Sequence, residues 1–368
     1  MRGQSQQVTL DSFFASLCDS PLPSRGVSDR AFAKARSHLH MPALTSLNDM
    51  LVERADAAGL VPRWLGLRVV AGDGSVLMPA LRECSRTLGL AAADQRLFAL
   101  FLPGAELTLH ACVYDAQGSE RQLLVESLDQ LGPDDLLVLD RGYPASWLVC
   151  LLNERGIRWC MRCDNDSGWT PVRTFMRAGT DEACVTLSEP SAADADTWGC
   201  GRTAPMARLV RQVSPSGAIR VLVTNLDSRN YPCHAFANLY HQRWRIEEGF
   251  KRLKLRLHLE SVSGLSQQAV IIDVAAKILA DNLASLLCAA AADQADLPSR
   301  DRRCSRSYAA SLFQRAIPRL LIAVGDFFAS VAEVLTLLGA TTQRFVAGRS
   351  SRRPPNHTKP HPNFAYKG

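Results

Sequence analysis

Two apolar runs that each stop at a carboxylate constrain this chain more than any other feature. Leu67-Arg68-Val69-Val70-Ala71-Gly72-Asp73 and Asp135-Leu136-Leu137-Val138-Leu139-Asp140 read as short buried strands. A charge at the end of such a strand is costly unless a metal or hydrogen bonds compensate it, so both acids are candidates for use. Strand-like Arg96 to Leu102 and Leu107 to Tyr114 lie between them, followed by a helical pattern over Gly118 to Leu131. After Asp140 come a helix over Pro144 to Arg155 and a strand over Ile157 to Arg162. The order is strand, strand, strand, helix, strand, helix, strand.

That order resembles a ribonuclease-H-like domain, whose next element should be a helix bearing a last carboxylate. The stretch Tyr240 to Lys254 supplies one. At about 100° per residue, Tyr240, Arg243, Glu247 and Lys254 fall within roughly 60° of one another. Leu239, Ile246, Phe250, Leu253 and Leu257 form the adjoining apolar face, while Arg245, Arg252 and Arg256 point elsewhere and read as solvated. An ordinary charged surface helix is the plain alternative, with Glu247 and Lys251 as an i,i+4 pair contributing a few tenths of a kcal/mol. Glu248 lies off the stripe, about 100° from Glu247. Asp134 and Asp135 open a strand where solvent can hydrate them.

In a ribonuclease-H-like sheet the first and fourth strands are neighbours, so Asp73 and Asp140 would meet at one edge and a helix packed there would bring Glu247. Three carboxylates can hold two divalent ions about 3.5–4 Å apart for an in-line phosphoryl displacement. Hard oxygen ligands favour Mg2+, or Mn2+, over zinc. Cys160-x2-Cys163 has no matching second pair, and His110, His234 and His241 lack ligand spacing.

Tyr240-x2-Arg243-x3-Glu247-x6-Lys254 resembles the signature of the insertion-sequence-four family of DDE cut-and-paste transposases, and all four positions match. Asp73-Gly74-Ser75 and Asp140-Arg141-Gly142-Tyr143 look like the regions that carry the first and second acids of that family. The resemblance covers most of residues 60 to 260. It implies Asp73, Asp140 and Glu247 as catalytic metal ligands, and Tyr240, Arg243 and Lys254 as contacts to DNA phosphates near the cleaved end. It further implies binding of terminal inverted repeats, a synaptic homodimer and strand transfer into target DNA. In studied members a tryptophan of the insertion stacks on a flipped base. Trp169 and Trp198 lie in the corresponding segment without a motif match.

The fold expected is therefore α/β: a ribonuclease-H-like catalytic domain, residues 61–163 and 231–262, with a β-rich insertion over 164–230. Ser188 to Asp196, without an apolar period, reads alternatively as a polar linker. Residues 1–60 are helical; the cations Arg30, Lys34 and Arg36 could read a DNA end, or the region could only cap the core. Residues 263–347 form a helical C-terminal region suited to dimerisation, with Arg300, Arg302, Arg303 and Arg306 as a basic cluster. Residues 348–368 are a Pro-rich basic tail, expected to be disordered.

Composition agrees with such a partner. The formal charge of +6 suits a polyanion. Eleven cysteines, an odd number scattered through apolar segments, fit reduced thiols and a cytoplasmic, nucleoid-associated protein. No signal peptide is legible, and Asp326 and Glu333 interrupt the apolar run Leu320 to Ala340, so no membrane contact is expected. Two other readings remain: a decayed or domesticated copy that binds DNA without cutting, and a ribonuclease-H-like nuclease without strand transfer.

Overall fold

Alternation along one strand sets the architecture. The computed structural model describes residues 5–18, 20–77, 95–115, 118–163, 168–213, 217, 219–264, 266–322 and 325–344. In β2 (Leu67–Leu77) successive side chains face opposite sides of the sheet. Val70 joins Phe98, Leu100, Leu137 and Leu139 beneath Leu123 and Leu124 of the helix Glu120–Glu126 and Leu148 and Leu152 of the helix Ser146–Glu154. Val69 and Ala71 face the other way, toward the helix Phe236–Lys251, which contributes Phe236, Leu239, Ile246 and Phe250. Both faces of the sheet are covered, which is why its central strands are almost wholly apolar.

The short β1 (Arg63–Trp64) and β3 (Gln95–Leu102) both pair antiparallel with β2, and β4 (Leu107–Asp115) pairs antiparallel with β3. On the other side of β2, β5 (Asp135–Leu139) pairs in parallel, and β6 (Arg158–Cys163) is parallel to β5. The sequence-derived order of strands and helices is observed from β2 to β6. Segment 164–230 adds β7 (Glu182–Thr186), β8 (Met206–Val213) and β9 (Ile219–Thr224), which extend the same sheet in the order β6-β9-β8-β7. Within Ser188 to Asp196 the polar stretch is partly helical: Ala192–Trp198 is capped by Ser191 and ends on Gly199 at φ 62°. Seven residues that bury only Ala195 leave little period to detect.

Two charged residues differ from expectation. Asp135 is 3 % exposed, accepts from Arg68 Nη2 at 2.8 Å and also accepts the Gly132 N–H, so it is a buried partner at the end of β5 away from Asp140. Arg252 is buried, not solvated, and pairs with Asp281 and Glu106, each at 3.1 Å. Arg302 and Arg303 of the expected basic cluster lie on β10 (Arg302–Cys304), which pairs with β11 (Thr342–Arg344). The ten described cysteines are all free. No helix among the described residues is long and apolar enough to cross a membrane. The tail 348–368 lies outside the described residues.

The helices of 1–60 are Gln6–Leu17, Asp29–Ser37 and Met41–Ala57. Arg36 is spent on packing, since its Nη2 donates to Ser263 O at 3.1 Å and its Nη1 lies 3.5 Å from Asp273, whereas Arg30 and Lys34 are exposed. At the outer edge of the sheet, Asn282 of the long helix Gln267–Gln294 accepts from Thr108 N at 2.8 Å and donates to Thr108 O at 2.9 Å and to Asn48 Oδ1 at 2.7 Å. One fully buried amide thus joins β4 to two helices. Replacing it leaves buried backbone groups unpaired, so Asn282→Ala is expected to lose about 2–3 kcal/mol of stability in urea unfolding. A loss within experimental error would show that this edge is not held by the amide.

Candidate active site

β2 and β5 are parallel neighbours with Ala71 opposite Val138. Two residues further, the same register brings Asp73 level with Asp140, just past the end of β5; β2 does not stop at Asp73 as its apolar run suggests but pairs on with β3 as far as Leu77. Asp73 sits on the face covered by the helix Phe236–Lys251, because it keeps the phase of Val69 and Ala71. That helix lies close to the sheet at Gly249, where a Cβ would be 3.2 Å from the Phe101 ring. Stacking of Trp64 on Tyr231, with ring centroids 5.7 Å apart, and an edge contact of Trp64 with Phe236 hold its N-terminal end.

Arg243 links the acids. Its Nη2 donates to Glu247 Oε1 at 3.1 Å one turn along, and its Nη1 lies 3.7 Å from Asp73 Oδ2. The guanidinium is 5 % exposed and sits 5.8 Å from the Tyr240 ring centroid. Gly74 N–H donates to Asp73 Oδ1 at 2.9 Å, and Gly142 N–H to Asp140 Oδ1 at 2.7 Å, so each acid is steadied by the backbone that follows it. Burial pushes the Asp73 carboxyl up to about 7; Arg243 and the Gly74 amide oppose the shift, and the charges of Asp140 and Glu120 add to it.

The signature residues are therefore gathered on one side of the sheet. Beyond Lys251 the helix widens into a π turn, Arg252–Arg256, closed by Leu257 N–H donating to Arg252 O at 3.2 Å. This turn alters the phase assumed for a uniform helix. Lys254 reaches β2, where its Nζ donates to Val76 O at 2.6 Å and lies 3.6 Å from Glu260. Glu248 is exposed and makes an i,i+3 pair with Lys251 at 2.5 Å. Among the described residues, the buried atoms without a hydrogen-bond partner include the hydroxyls of Tyr143 and Tyr240, and Arg243 Nε.

Among the described residues, no three His, Cys, Asp or Glu side chains stand close enough together to hold a metal ion. The donor chemistry still suits a hard cation, since the acids are oxygen donors and a guanidinium places positive charge between Asp73 and Glu247. Trp169 and Trp198 are both used in packing: Trp169 Nε1 donates to Ser146 Oγ at 2.9 Å, and Trp198 stacks on Trp147 at 4.2 Å. Sequence reasoning missed Glu120, whose charge reaches Asp73 and Tyr143. As an acid in the first turn of a short helix capped by Ser119, it carries no signal that separates it from an ordinary helix start.

Asp73 also predicts a pH dependence. In the metal-free fold it keeps its proton to about pH 7, whereas an unfolded aspartate releases it near about 3.9. The folded state holds more protons across that window, so stability through this group falls as pH rises from about 4 to 7. Urea unfolding of the wild type and Asp73→Asn at both ends of the window, without divalent ions, should show the wild type losing stability relative to the variant. A constant difference would return Asp73 to an ordinary carboxylate.

Comparison with known proteins bears on this geometry. The family model described as "Transposase DDE domain" matches residues 95–283, just over half of the chain, and begins after Asp73. The "Transposase InsG for insertion sequence element IS4" of Escherichia coli (strain K12) is 24% identical over 262 residues, 67% of this chain and 58% of that protein. The chain thus spans less than two thirds of that relative's length. The structure titled "Cryo-EM structure of piggyBac transposase synaptic complex with hairpin DNA" overlaps 95% of this chain and 79% of its own at a TM-score of 0.41 and 7% identity, too loose a likeness to bear on fold or function. By the matched domain and its four-residue signature, this chain belongs to the insertion-sequence-four family of DDE transposases.

Proposed function

We propose that the chain binds the terminal inverted repeats of its own insertion sequence, cleaves the DNA ends and joins them to target DNA as a homodimer. The observation that carries this reading is the parallel register of β2 and β5, which levels Asp73 with Asp140 while Arg243 ties Asp73 to Glu247. The strand order β4-β3-β2-β5-β6 supports a ribonuclease-H-like catalytic domain formed by residues 61–163 and 231–262. Exposed Arg30 and Lys34 suit the N-terminal helices to DNA-end contact, and the basic residues of 348–368 suit a sequence-independent contact to the duplex.

Asp73, Asp140 and Glu247 would hold Mg2+, or Mn2+, through carboxylate oxygens. When bound, such ions activate the attacking oxygen and stabilise the leaving one. Arg243 pairs with Glu247 and lies beside Asp73 in the free protein, and it is the cation placed to turn toward a DNA phosphate. Lys254, beside Val76, adds a second cation at the end of β2. Tyr240, buried against Arg243, orients that guanidinium through its ring and keeps its hydroxyl for the DNA end. A copy that binds DNA without cutting is the second reading, favoured by the acids not being gathered into a ready ion cage.

Purified protein, Mg2+ and duplexes carrying the inverted repeats that flank its gene separate the two readings. Asp73→Ala, Asp140→Ala and Glu247→Ala should each bring end cleavage below detection while sparing end binding, and Glu248→Ala should cleave as the wild type does. Absence of cleavage by the wild type itself would favour the non-cutting copy. An essential Glu248 with a dispensable Glu247 would assign the wrong face of the helix.

The phosphate contacts are read from salt. Arg243→Ala and Lys254→Ala should each reduce the slope of log affinity against log salt by about one phosphate contact. Slopes equal to the wild type across a salt series would make both residues structural.

A further inference from the structure

Glu260 is a buried acid where packing does not ask for a charge. It is 4% exposed, and its chain neighbours Leu259 and Val262 pack into the apolar cluster of Ile246, Phe250 and Leu253. A buried ion pair is often no more stable than apolar residues of the same volume, so stability alone gives little reason for an acid here. The residue it faces supplies one. Glu260 Oε1 lies 3.6 Å from Nζ of Lys254, the last residue of the signature.

A lysine is a point charge on a flexible stem, and nothing in the stem fixes where that charge lies. Here two acceptors do so. Lys254 Nζ donates to Val76 O at 2.6 Å and faces the Glu260 carboxylate, so it is pinned to β2, the strand that carries Asp73. The Lys254 side chain is 22% exposed against 5% for Glu260, so an incoming phosphate meets the lysine and not the acid. The acid is anchored in turn. Lys277, on the helix Gln267–Gln294, donates to His258 O at 2.9 Å and to Ser261 O at 2.6 Å. Ser261 N–H closes the turn on His258 O at 2.8 Å, with His258 at φ 48°. Just beyond, Arg36 and Asp273 hold Ser263. The turn that carries Glu260 is therefore tied to two helices outside the signature.

We propose that Glu260 is a positioning residue for Lys254, holding its ammonium against Val76 of β2 before DNA arrives. This rests on the reading of Lys254 as a phosphate contact. The acid takes no part in the displacement and acts only through the lysine. A cation already held in place gives up less conformational freedom when the phosphate docks.

The first measurement needs no cleavage. Acylation of the free full chain by an amine-selective reagent at one pH, followed by mass spectrometry, should find Lys254 protected in the wild type and several-fold more reactive in Glu260→Gln. Exposed Lys34 should react alike in both. The second measurement is end cleavage with Mg2+. Glu260→Gln keeps the lysine, so the slope of log affinity against log salt should stay as in the wild type, while the rate at saturating DNA falls about tenfold or more. Glu260→Asp should be intermediate in both measurements, and it carries the test if the glutamine variant does not fold. Added to Lys254→Ala, Glu260→Gln should slow cleavage no further, because residues that act through one contact are not additive. Wild-type reactivity of Lys254 in the Glu260 variants, or an equal loss of rate with and without Lys254, overturns the positioning role and leaves the phosphate contact standing. A wild-type slope and rate for Lys254→Ala overturns the phosphate contact and the positioning role with it. If the wild type itself does not cleave, the acylation result decides.

Discussion

Parallel pairing of β2 with β5 is the constraint on which the rest of the molecule depends. It puts two carboxylates at the same level on adjacent strands, Asp73 within β2 and Asp140 just past the end of β5, where a buried charge is costly without help. The help present is local and cationic: backbone N–H groups from Gly74 and Gly142, and the guanidinium of Arg243 between Asp73 and Glu247. Burial still dominates at Asp73 and holds its carboxyl near neutrality.

The helix Phe236–Lys251 brings Arg243 and Glu247 to Asp73 by lying on the sheet, and its seating is polar as well as apolar. Gly249 allows close approach at Phe101, while Arg252 inserts into a buried network with Asp281, Glu106 and, through Glu106, Arg306. Breaking one partner of such a network leaves an uncompensated buried charge, a loss of about 3–5 kcal/mol. The network lies at the π turn, so the helix is anchored where its pitch changes and where Lys254 is sent toward β2. Asn282, the residue after Asp281, performs the matching task beside it, joining β4 to the long helix and to Asn48. Both devices bind the C-terminal helices to the edge of the sheet.

Among the charged residues, sequence position proved a poor guide to surroundings. Arg245, Arg252 and Arg256 share one sector of an ideal helix, yet Arg252 is buried and Arg245 is exposed. Asp135 and Asp140 bound the same five-residue strand, but Asp135 is locked to Arg68 while Asp140 accepts the Gly142 N–H at the level of Asp73. In each case the neighbour that decides the role comes from more than about twenty residues away in the chain.

The sequence by itself determined the elements and the candidate residues. Apolar runs with acids located β2 and β5, helical spacing put Glu247 rather than Glu248 on the stripe with Arg243, and the four-residue signature identified the family, because these are patterns within a few turns or one strand. Only the tertiary structure decided which charges meet. The joining of β7 to β9 onto the main sheet, the burial of Arg252 and Asp135, the bridging position of Arg243 and the approach of Glu120 to Gly74 all depend on contacts between distant segments. No local period encodes such contacts, since the energy that selects them arises when two faces exclude water together.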